Sequence, residues 1–235
     1  MANATAHGKR YSELAKLVDR KKLYPALEAL ELVKKTSTTK FDSSVEVHLN
    51  LGIDVKKGDQ QVRATFVFPH STGKSKKVVA FVPADREKEA KEAGADTVGG
   101  EELINEIIKN GKIDCDITVA TPDMMPKLAK LAKILGPAGL MPNPKTETVG
   151  TNVKKMVEEI KKGKVSFKND TTANIHQAIG KASMDAKALL ENMTMLIDAI
   201  RKAKPASSKG VFLKSITVTS TMGPGVKVDG GSIAL

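Results

Sequence analysis

Apolar and polar residues alternate in two segments near the start of the chain. Apolar side chains occupy every second position of Val45–Ile53, and Val62–Phe68 shows a similar pattern. Alternation with a period of two predicts strands that have one buried and one solvent-exposed face. Before them, the apolar residues of 27–33 have helical spacing, and Pro25 suits a first helical turn. The pattern therefore predicts an opening segment of two helices followed by two strands.

The middle of the chain has a different pattern. Val78–Val82 and Ile117–Ala120 are short, nearly continuous apolar runs, and amphipathic helical patterns occur at Arg86–Ala93 and Glu101–Ile108. Apolar strands that alternate with such helices are typical of a parallel sheet covered on both faces. We predict a small Rossmann-like, three-layer α/β unit here.

The last third of the chain returns to half-exposed strands. A loop rich in turn-forming residues, Gly136–Pro144, precedes a helix that Asn152 is placed to cap. After that helix, the pattern predicts strands at Val165–Lys168, Asn174–Gln177 and Val211–Thr219, and a long amphipathic helix over Asp185–Lys204. The two ends of the chain are therefore more similar to each other in pattern than either is to the middle.

Charge separates the same three segments. The formal net charge is +11, of which residues 1–69 contribute +4 and residues 160–235 contribute +7, whereas residues 70–159 are neutral. We therefore predict a mixed fold, α/β and α+β, with two domains. The first is a split α+β domain whose antiparallel sheet is built from both chain ends, residues 1–69 and 160–235, and the second is the inserted Rossmann-like α/β domain. We also expect the insertion to move about crossings near Pro69 and Ile160.

Composition restricts the partner and the compartment. The pI of about 9.6 favours a polyanionic partner, either nucleic acid or an anionic membrane. Apolar stretches such as Val78–Val82 are far shorter than the ~20 residues of a spanning helix. Met1–Arg10 lacks the apolar segment of a secretory signal, and the single cysteine, Cys115, fits a buried thiol in a reducing compartment. We therefore expect a cytoplasmic protein without a membrane partner.

No complete catalytic or cofactor motif is present in the sequence. Ser71–Ser75 ends like a phosphate-binding loop, but the position five residues before Gly73, where such a loop needs glycine, is Phe68. Asp114 and Asp116 flank Cys115, where two such acids are more often solvated than an acid/base pair, and no set of nucleophile, base and orienting acid can be named. The four histidines share no metal-ligand spacing: His7, His48, His70 and His176. We therefore expect no enzymatic activity, no cofactor and no metal site.

Five features carry groups that suit contact with RNA. Gly8–Tyr11 sets two cations beside an aromatic ring, although a solvated tail fits equally well. Phe41 precedes the first strand as either a core residue or a stacking platform. Gly180–Lys181 suggests a turn that can approach a phosphate, and Ser183 either contacts RNA or opens the long helix. Thr219–Gly225 combines hydroxyls with glycines, which lets backbone groups reach RNA, but it is also simply a turn.

Aromatic residues make up only 3% of the chain, and tryptophan is absent from it. A sheet that stacks several bases on aromatic rings is therefore not expected. If the partner is RNA, we expect it to be recognised by its shape and through contacts to its backbone and hydroxyl groups.

Ten short motifs are distributed along nearly the whole chain. They are His7–Tyr11, Lys40–Phe41, Val45–His48, Gly94–Asp96, Val98–Glu102, Ile134–Pro137, Gly139–Lys145, Phe167–Asp170, Gly180–Ser183 and Thr221–Pro224. Each is weak alone, but together they specifically resemble the large-subunit ribosomal protein L-one family of the bacterial type. The sequence departs from that family's usual pattern between Met124 and Lys133, where Pro126 and additional lysines occur.

The resemblance implies a split RNA-binding domain with an inserted Rossmann-like domain, located on a mobile stalk of the large ribosomal subunit. It implies binding to large-subunit ribosomal RNA, assistance in releasing deacylated tRNA from the exit site, and repression of translation through the protein's own mRNA. It also implies a monomer when free. The implied RNA contacts are Lys40, Phe41, Ser44, Glu46, His176, Lys181, Ser183, Thr221, Met222 and Gly223. Among them we favour Phe41, Thr221, Met222 and Gly223.

Two other classes of function stay open from the residues alone. An enzyme would use the Rossmann-like insertion to bind a nucleotide or a phosphorylated substrate, and it would need a complete phosphate-binding loop there. A general nucleic-acid-binding or chromatin-like protein would rest on charge alone. Such a protein should bind duplex DNA about as well as structured RNA, which distinguishes it from a ribosomal protein.

Overall fold

The structure, a computed structural model, describes residues 8–73 and 76–233. Residues 1–7, where the first motif begins, and residues 74–75, which complete the phosphate-loop resemblance, lie outside this description. The α-helices are α1 (Lys9–Ala15), α2 (Ala26–Thr36), α3 (Glu87–Glu92), α4 (Glu101–Asn110), α5 (Met125–Leu128), α6 (Ala132–Leu135), α7 (Val153–Lys161) and α8 (Ala186–Lys202). The strands are β1 (Ser44–Leu51), β2 (Arg63–Val67), β3 (Val78–Phe81), β4 (Thr97–Gly99), β5 (Ile117–Ala120), β6 (Lys164–Lys168), β7 (Asn174–Lys181), β8 (Leu213–Ser220) and β9 (Val226–Val228).

The chain divides into two compact units. Unit 1 consists of Met1–Arg63, Phe68–Gly73 and Phe167–Leu235, and unit 2 consists of Ala64–Val67 and Lys74–Ser166. The return crossing differs from the one expected near Ile160, because Ile160 is buried within α7 and packs in an apolar cluster of unit 2. Residues 160–166 therefore belong with unit 2. The first and last boundaries fall inside β2 and β6, which pair with each other as a two-stranded sheet.

Unit 1 is built around a four-stranded antiparallel sheet with the order β7-β1-β8-β9. Residues of β1 alternate between partly exposed and buried, as the sequence pattern predicts. The buried positions include Val47 and Leu49, and the helices α2 and α8 pack on this side with Leu30, Leu189 and Leu196 fully buried. The sheet therefore has one apolar face covered by two helices and one face without a covering helix.

Unit 2 contains a three-stranded parallel sheet with the order β4-β3-β5. Successive residues of β3 pack into different apolar clusters. Val79 and Phe81 pack with residues of α4 on one side, whereas Val78 and Ala80 pack with residues of α3 and α7 on the other. Every residue of β3 is buried, which explains why this strand has a continuous apolar sequence and no alternation.

Two helix starts test the local capping signals. Asn152 caps α7, since its side-chain oxygen accepts a hydrogen bond from Lys155 N at 3.1 Å. Asp185 occupies the N-cap position of α8. The interpretation of Ser183 as the residue that opens this helix is therefore wrong.

Two predictions about single positions also need correction. Gly180 and Lys181 lie within β7 and not in a turn. A Cβ atom on Gly180 would lie 2.6 Å from a methyl group of Leu189, so packing against α8 explains this glycine. Cys115 is only partly buried. Burial, with a smaller contribution from the neighbouring carboxylate of Asp116, nevertheless raises the pKa of its thiol to about 11.

Candidate nucleic-acid interface

The sheet face of unit 1 that lies opposite α2 and α8 carries polar side chains. We call it the open face and define it by Ser44, Glu46, His48, Asn50, Asn174, His176, Lys181, Thr217 and Thr219. The strand register sets His48 between His176 and Thr217. Next to it, Asn50 Nδ2 donates a hydrogen bond to Asn174 Oδ1 at 2.7 Å. The open face is therefore an ordered array of donors and acceptors.

Two histidines contact each other at the centre of this face. The Nδ1 atoms of His48 and His176 lie 2.8 Å apart, so one of them donates a hydrogen and the other accepts it with a lone pair. The Nε2 atom of His48 faces Glu46 at 3.9 Å. Burial, followed by the proximity of His176, lowers the pKa of His48 below its ordinary value, and Glu46 partly offsets this. The pair can gain only one proton while its hydrogen bond is kept.

Asp170 organises the turn that leads into β7. Its carboxylate accepts hydrogen bonds from the backbone N and hydroxyl of Thr172 at 2.8 and 2.7 Å, and from Asn174 N at 2.7 Å. These bonds, that of the Thr172 hydroxyl first, lower the pKa of Asp170 to about 2. The carboxylate therefore stays charged at neutral pH, 3.6 Å from Nε2 of His176.

Three segments meet at one end of the open face, and we call residues 38–44, 181–183 and 221–224 the rim. Ser44 N donates to Thr221 Oγ1 at 3.1 Å, and Thr221 N donates to Ser44 O at 2.9 Å. Lys181 Nζ donates to Ser44 Oγ at 3.0 Å. Because Ser44 and Thr221 are 177 residues apart in sequence, the rim forms only when both ends of the chain fold together.

Hydrogen bonds also fix the part of the rim that precedes β1. The backbone N and the hydroxyl of Ser183 donate to the carboxylate of Asp42 at 3.2 and 2.8 Å. Thr39 Oγ1 donates to Phe41 O at 2.9 Å. The Phe41 side chain nevertheless remains 57% exposed, so the interpretation of Phe41 as a core residue is wrong.

The turn after β8 presents backbone groups and a long apolar side chain. Met222 has a φ of 68° and is 66% exposed. A non-glycine residue in this left-handed region costs about 1 kcal/mol or more and is typical of functional sites. Gly223 N donates to Ser220 O at 2.8 Å, and a Cβ atom on Gly223 would lie 2.3 Å from Ser220 Oγ. Only glycine therefore permits this turn without rearrangement.

Three basic side chains lie in or beside the rim. Arg10 donates to Met222 O at 2.9 Å through Nη2 and to Thr38 Oγ1 at 3.3 Å through Nη1. Lys40 is exposed in the rim. Lys181 Nζ makes a second contact, to Asp42 O, which is long at 3.5 Å. The rim thus contains two cations, Lys40 and Lys181, and two exposed apolar side chains, and Arg10 adds a third cation beside it.

The structure brings the predicted RNA-contact residues to one surface of unit 1. The rim contains Lys40, Phe41, Ser44, Lys181, Ser183, Thr221, Met222 and Gly223, and the open face beside it contains Glu46 and His176. Sequence reasoning missed Asp42 and His48, whose partners lie more than 120 residues away. Of the two, only His48 gave a local signal, its outward position in an alternating strand.

The family comparison covers most of the structure just described. The model of the Ribosomal protein L1p/L10e family matches residues 33–224, more than three quarters of the chain. The chain belongs to this family. The match contains the whole rim and the strands β1, β7 and β8 that form the open face. The resemblance drawn from the short motifs is therefore confirmed at the level of the family.

Membership of the L1p/L10e family settles the class of the protein. It is a ribosomal protein of the large subunit that has a structural role there and associates with ribosomal RNA. The family consists of structural proteins and not of enzymes. The basic composition and the polar open face of unit 1 agree with an RNA partner.

Three further observations bear on the alternatives. Within residues 8–73 and 76–233, no helix is both long and apolar enough to cross a membrane. The same part of the chain contains no group of three or more histidine, cysteine, aspartate or glutamate side chains placed to hold a metal ion. Phe68, where a phosphate-binding loop needs glycine, is 3% exposed. Its bulk at that position is used for packing.

Proposed function

We propose that the rim and the adjacent open face bind a folded segment of large-subunit ribosomal RNA. The observation that carries this proposal is the composition of the rim. It combines the turn after β8, two cations and the exposed side chains of Phe41 and Met222, and Arg10 lies beside it. Exposed apolar side chains within a polar surface mark interaction sites, and a few such residues supply most of the binding energy.

Each group of the rim has a distinct role in this proposal. Lys40 and Lys181 neutralise phosphates, which gives affinity without sequence preference. The Thr221 hydroxyl and the backbone of Gly223, which the tight turn holds against Ser220, reach ribose hydroxyls and phosphates. Phe41 and Met222 pack against the apolar faces of unpaired bases or riboses. Recognition therefore depends on an RNA shape that reaches all of these groups at once.

The proposal extends to the roles that the sequence resemblance implies. An mRNA that contains a similar RNA fold would occupy the same rim, so that excess free protein represses translation of its own message in the cytoplasm. On the ribosome, the protein would sit on a mobile stalk beside the exit site and assist the release of deacylated tRNA. The split unit 1 would hold the RNA, while the less basic unit 2 moves relative to it. The free protein would be a monomer.

Binding of the full chain to a large-subunit ribosomal RNA transcript and to duplex DNA at two salt concentrations tests the site. Met222→Asp should weaken RNA binding about 100-fold, close to 3 kcal/mol, because it places a carboxylate against phosphates and removes a buried contact. Met195→Asp is the matched control, since Met195 is 45% exposed on α8 and lies outside the rim. We expect the control to bind like the wild type.

Two results would contradict the proposal. If Met222→Asp binds RNA as tightly as Met195→Asp does, the rim is not the site. If duplex DNA competes as well as RNA at both salt concentrations, the protein is a general nucleic-acid binder of the kind that charge alone would produce.

The regulatory and ribosomal roles need separate tests. In cell-free translation of the protein's own mRNA, added wild-type protein should reduce synthesis, and the Met222→Asp variant should not. Release of deacylated tRNA should be slower from ribosomes that lack the protein than from ribosomes to which it has been restored. Equal release rates would remove the tRNA role and leave the RNA-binding site intact.

A further inference from the structure

Unit 1 contains a second basic surface that the rim does not include. An open groove of about 590 Å³ is lined by the end of α8, the start of β8 and the end of β9. Its floor contains Phe212 and Ile216, which are only 8% and 4% exposed. Four cations line it: Arg201, Lys204, Lys214 and Lys227.

These cations have few negative partners. Among the residues that the structure describes, Lys204, Lys214 and Lys227 have no carboxylate within 4.0 Å, and Arg201 has only Asp198, at 3.9 Å. The one carboxylate that lines the groove belongs to Asp229, and it accepts a hydrogen bond from Gly231 N at 3.0 Å within its own turn. The groove therefore has a strong excess of positive charge.

The groove lies at the opposite end of the sheet from the rim. Lys214 is near the start of β8, and Thr221 follows its last residue. Seven residues of strand at about 3.3 Å each separate them by about 23 Å. A side chain of the rim cannot reach that far, so a ligand held in the groove makes contacts that are separate from those of the rim.

We propose that this groove is a second RNA-binding site, which holds sugar-phosphate backbone of the same RNA at a distance from the segment bound by the rim. This inference rests on the proposed function of the rim. Leu23, which is 57% exposed, also lines the groove, but four cations face a single lining carboxylate, and this excess of positive charge suits a chain of phosphates.

The test compares three full-length triple variants on a large-subunit ribosomal RNA transcript. The first replaces Lys204, Lys214 and Lys227 by glutamine, and the second replaces them by arginine. The third, the matched charge control, replaces three exposed lysines of unit 2 by glutamine: Lys88, Lys109 and Lys154. Binding is measured as a function of salt concentration, thermal unfolding checks the fold of each variant, and hydroxyl-radical footprinting maps the protected nucleotides.

The glutamine variant of the groove should bind the RNA on the order of 100-fold more weakly at 0.1 M salt, with the slope of log K against log salt reduced by about 2 to 3. The arginine variant and the unit 2 control should stay within about threefold of the wild type. The wild-type footprint should contain two separated tracts, of which the groove variant loses one and Met222→Asp weakens both.

Several outcomes would overturn the inference without affecting the rim. One is a groove variant that matches the unit 2 control in affinity and slope while Met222→Asp still loses binding. Another is a wild-type footprint with a single continuous tract of protected nucleotides. This result does not depend on whether any variant folds. A third concerns a polyglutamate peptide. If the peptide binds the wild type but not the groove variant, and displaces no RNA, the groove would instead suit an acidic protein partner.

Discussion

The four-stranded sheet of unit 1 and the three-stranded sheet of unit 2 bury their strands in opposite ways. In unit 2, adjacent residues of β3 are buried in separate clusters on the two faces of the parallel sheet. In unit 1, β1 alternates strictly, and only one face is covered by helices. The difference shows which surface is available for function. A sheet with both faces packed is a scaffold, whereas the open face of unit 1 presents polar groups at fixed spacing beside the rim.

Charge follows the same division. Within the observed bounds, unit 1 carries 21 basic and 13 acidic residues, a net +8, whereas unit 2 carries 17 and 14, a net +3. Long-range attraction of RNA therefore acts on the unit that also has the open face. We therefore expect substitutions on either side of β3 to lower the free energy of unfolding. In a strand of unit 1, only substitutions on the side that the helices cover should do so.

The largest effects should come from a buried aspartate. Val78→Asp and Val79→Asp face opposite sides of the unit 2 sheet, and each should lower the free energy of unfolding by about 4 kcal/mol or more, because both positions are buried. In β8 of unit 1, Val218→Asp should do the same, whereas Thr217→Asp should cost at most about 1 kcal/mol. Urea unfolding measures all four. A severe loss for Thr217→Asp would mean that the open face is covered.

A smaller effect is expected at Phe41, which separates binding from stability. Phe41→Ala should weaken binding to ribosomal RNA about 10- to 100-fold, since stacking on an aromatic ring contributes about 1 to 3 kcal/mol per base. Its thermal unfolding should change little, because the side chain is 57% exposed. Leu17→Ala, also exposed, at 59%, serves as the control. Unchanged RNA binding together with a strong loss of stability would identify Phe41 as a packing residue.

The smallest effect concerns the histidine pair. The pKa of His48 is lowered in the folded protein, mainly by burial and then by His176, so the unfolded chain takes up a proton first as the pH falls. The free energy of unfolding should therefore be fully retained above about pH 6.5 and decrease as the pH falls from there through the folded pKa. His48→Gln should remove part of this decrease in urea unfolding between pH 7.5 and 5.5. Parallel pH profiles for variant and wild type would argue against it.

Local patterns predicted much of the fold because the forces that act within one element are visible in its sequence. The alternation of β1 follows from a half-covered sheet, the continuous apolar run of β3 from a fully covered one, and the Asn152 cap from unpaired backbone donors at a helix start. Capping signals are ambiguous when two candidates are close together. Ser183 has the composition of a cap, but Asp42 binds its hydroxyl and Asp185 precedes the helix.

Much of the candidate site depends on contacts that local patterns do not contain. Arg10 binds Met222 O, 212 residues away in sequence, and His48 meets His176 through cross-strand register. The exposure of Phe41 could not be inferred from its hydrophobicity, which favours burial in general. The family resemblance implied RNA contact for Phe41, because a family's motifs reflect its binding partner. The residues of a single chain do not show that partner.

RNA binding by the separated parts of the chain would show directly which of them carries the RNA site. One shortened chain would join residues 1–73 to residues 164–235 through a short glycine linker, which keeps β2, β6 and all of the rim, and a second would contain residues 74–163 alone. Binding of each to a large-subunit ribosomal RNA transcript at 0.1 and 0.3 M salt would be compared with the full chain. We expect the first to retain affinity within about tenfold, whereas the second should bind negligibly at the higher salt. RNA-selective binding by residues 74–163, with loss of binding by the split domain, would contradict this expectation.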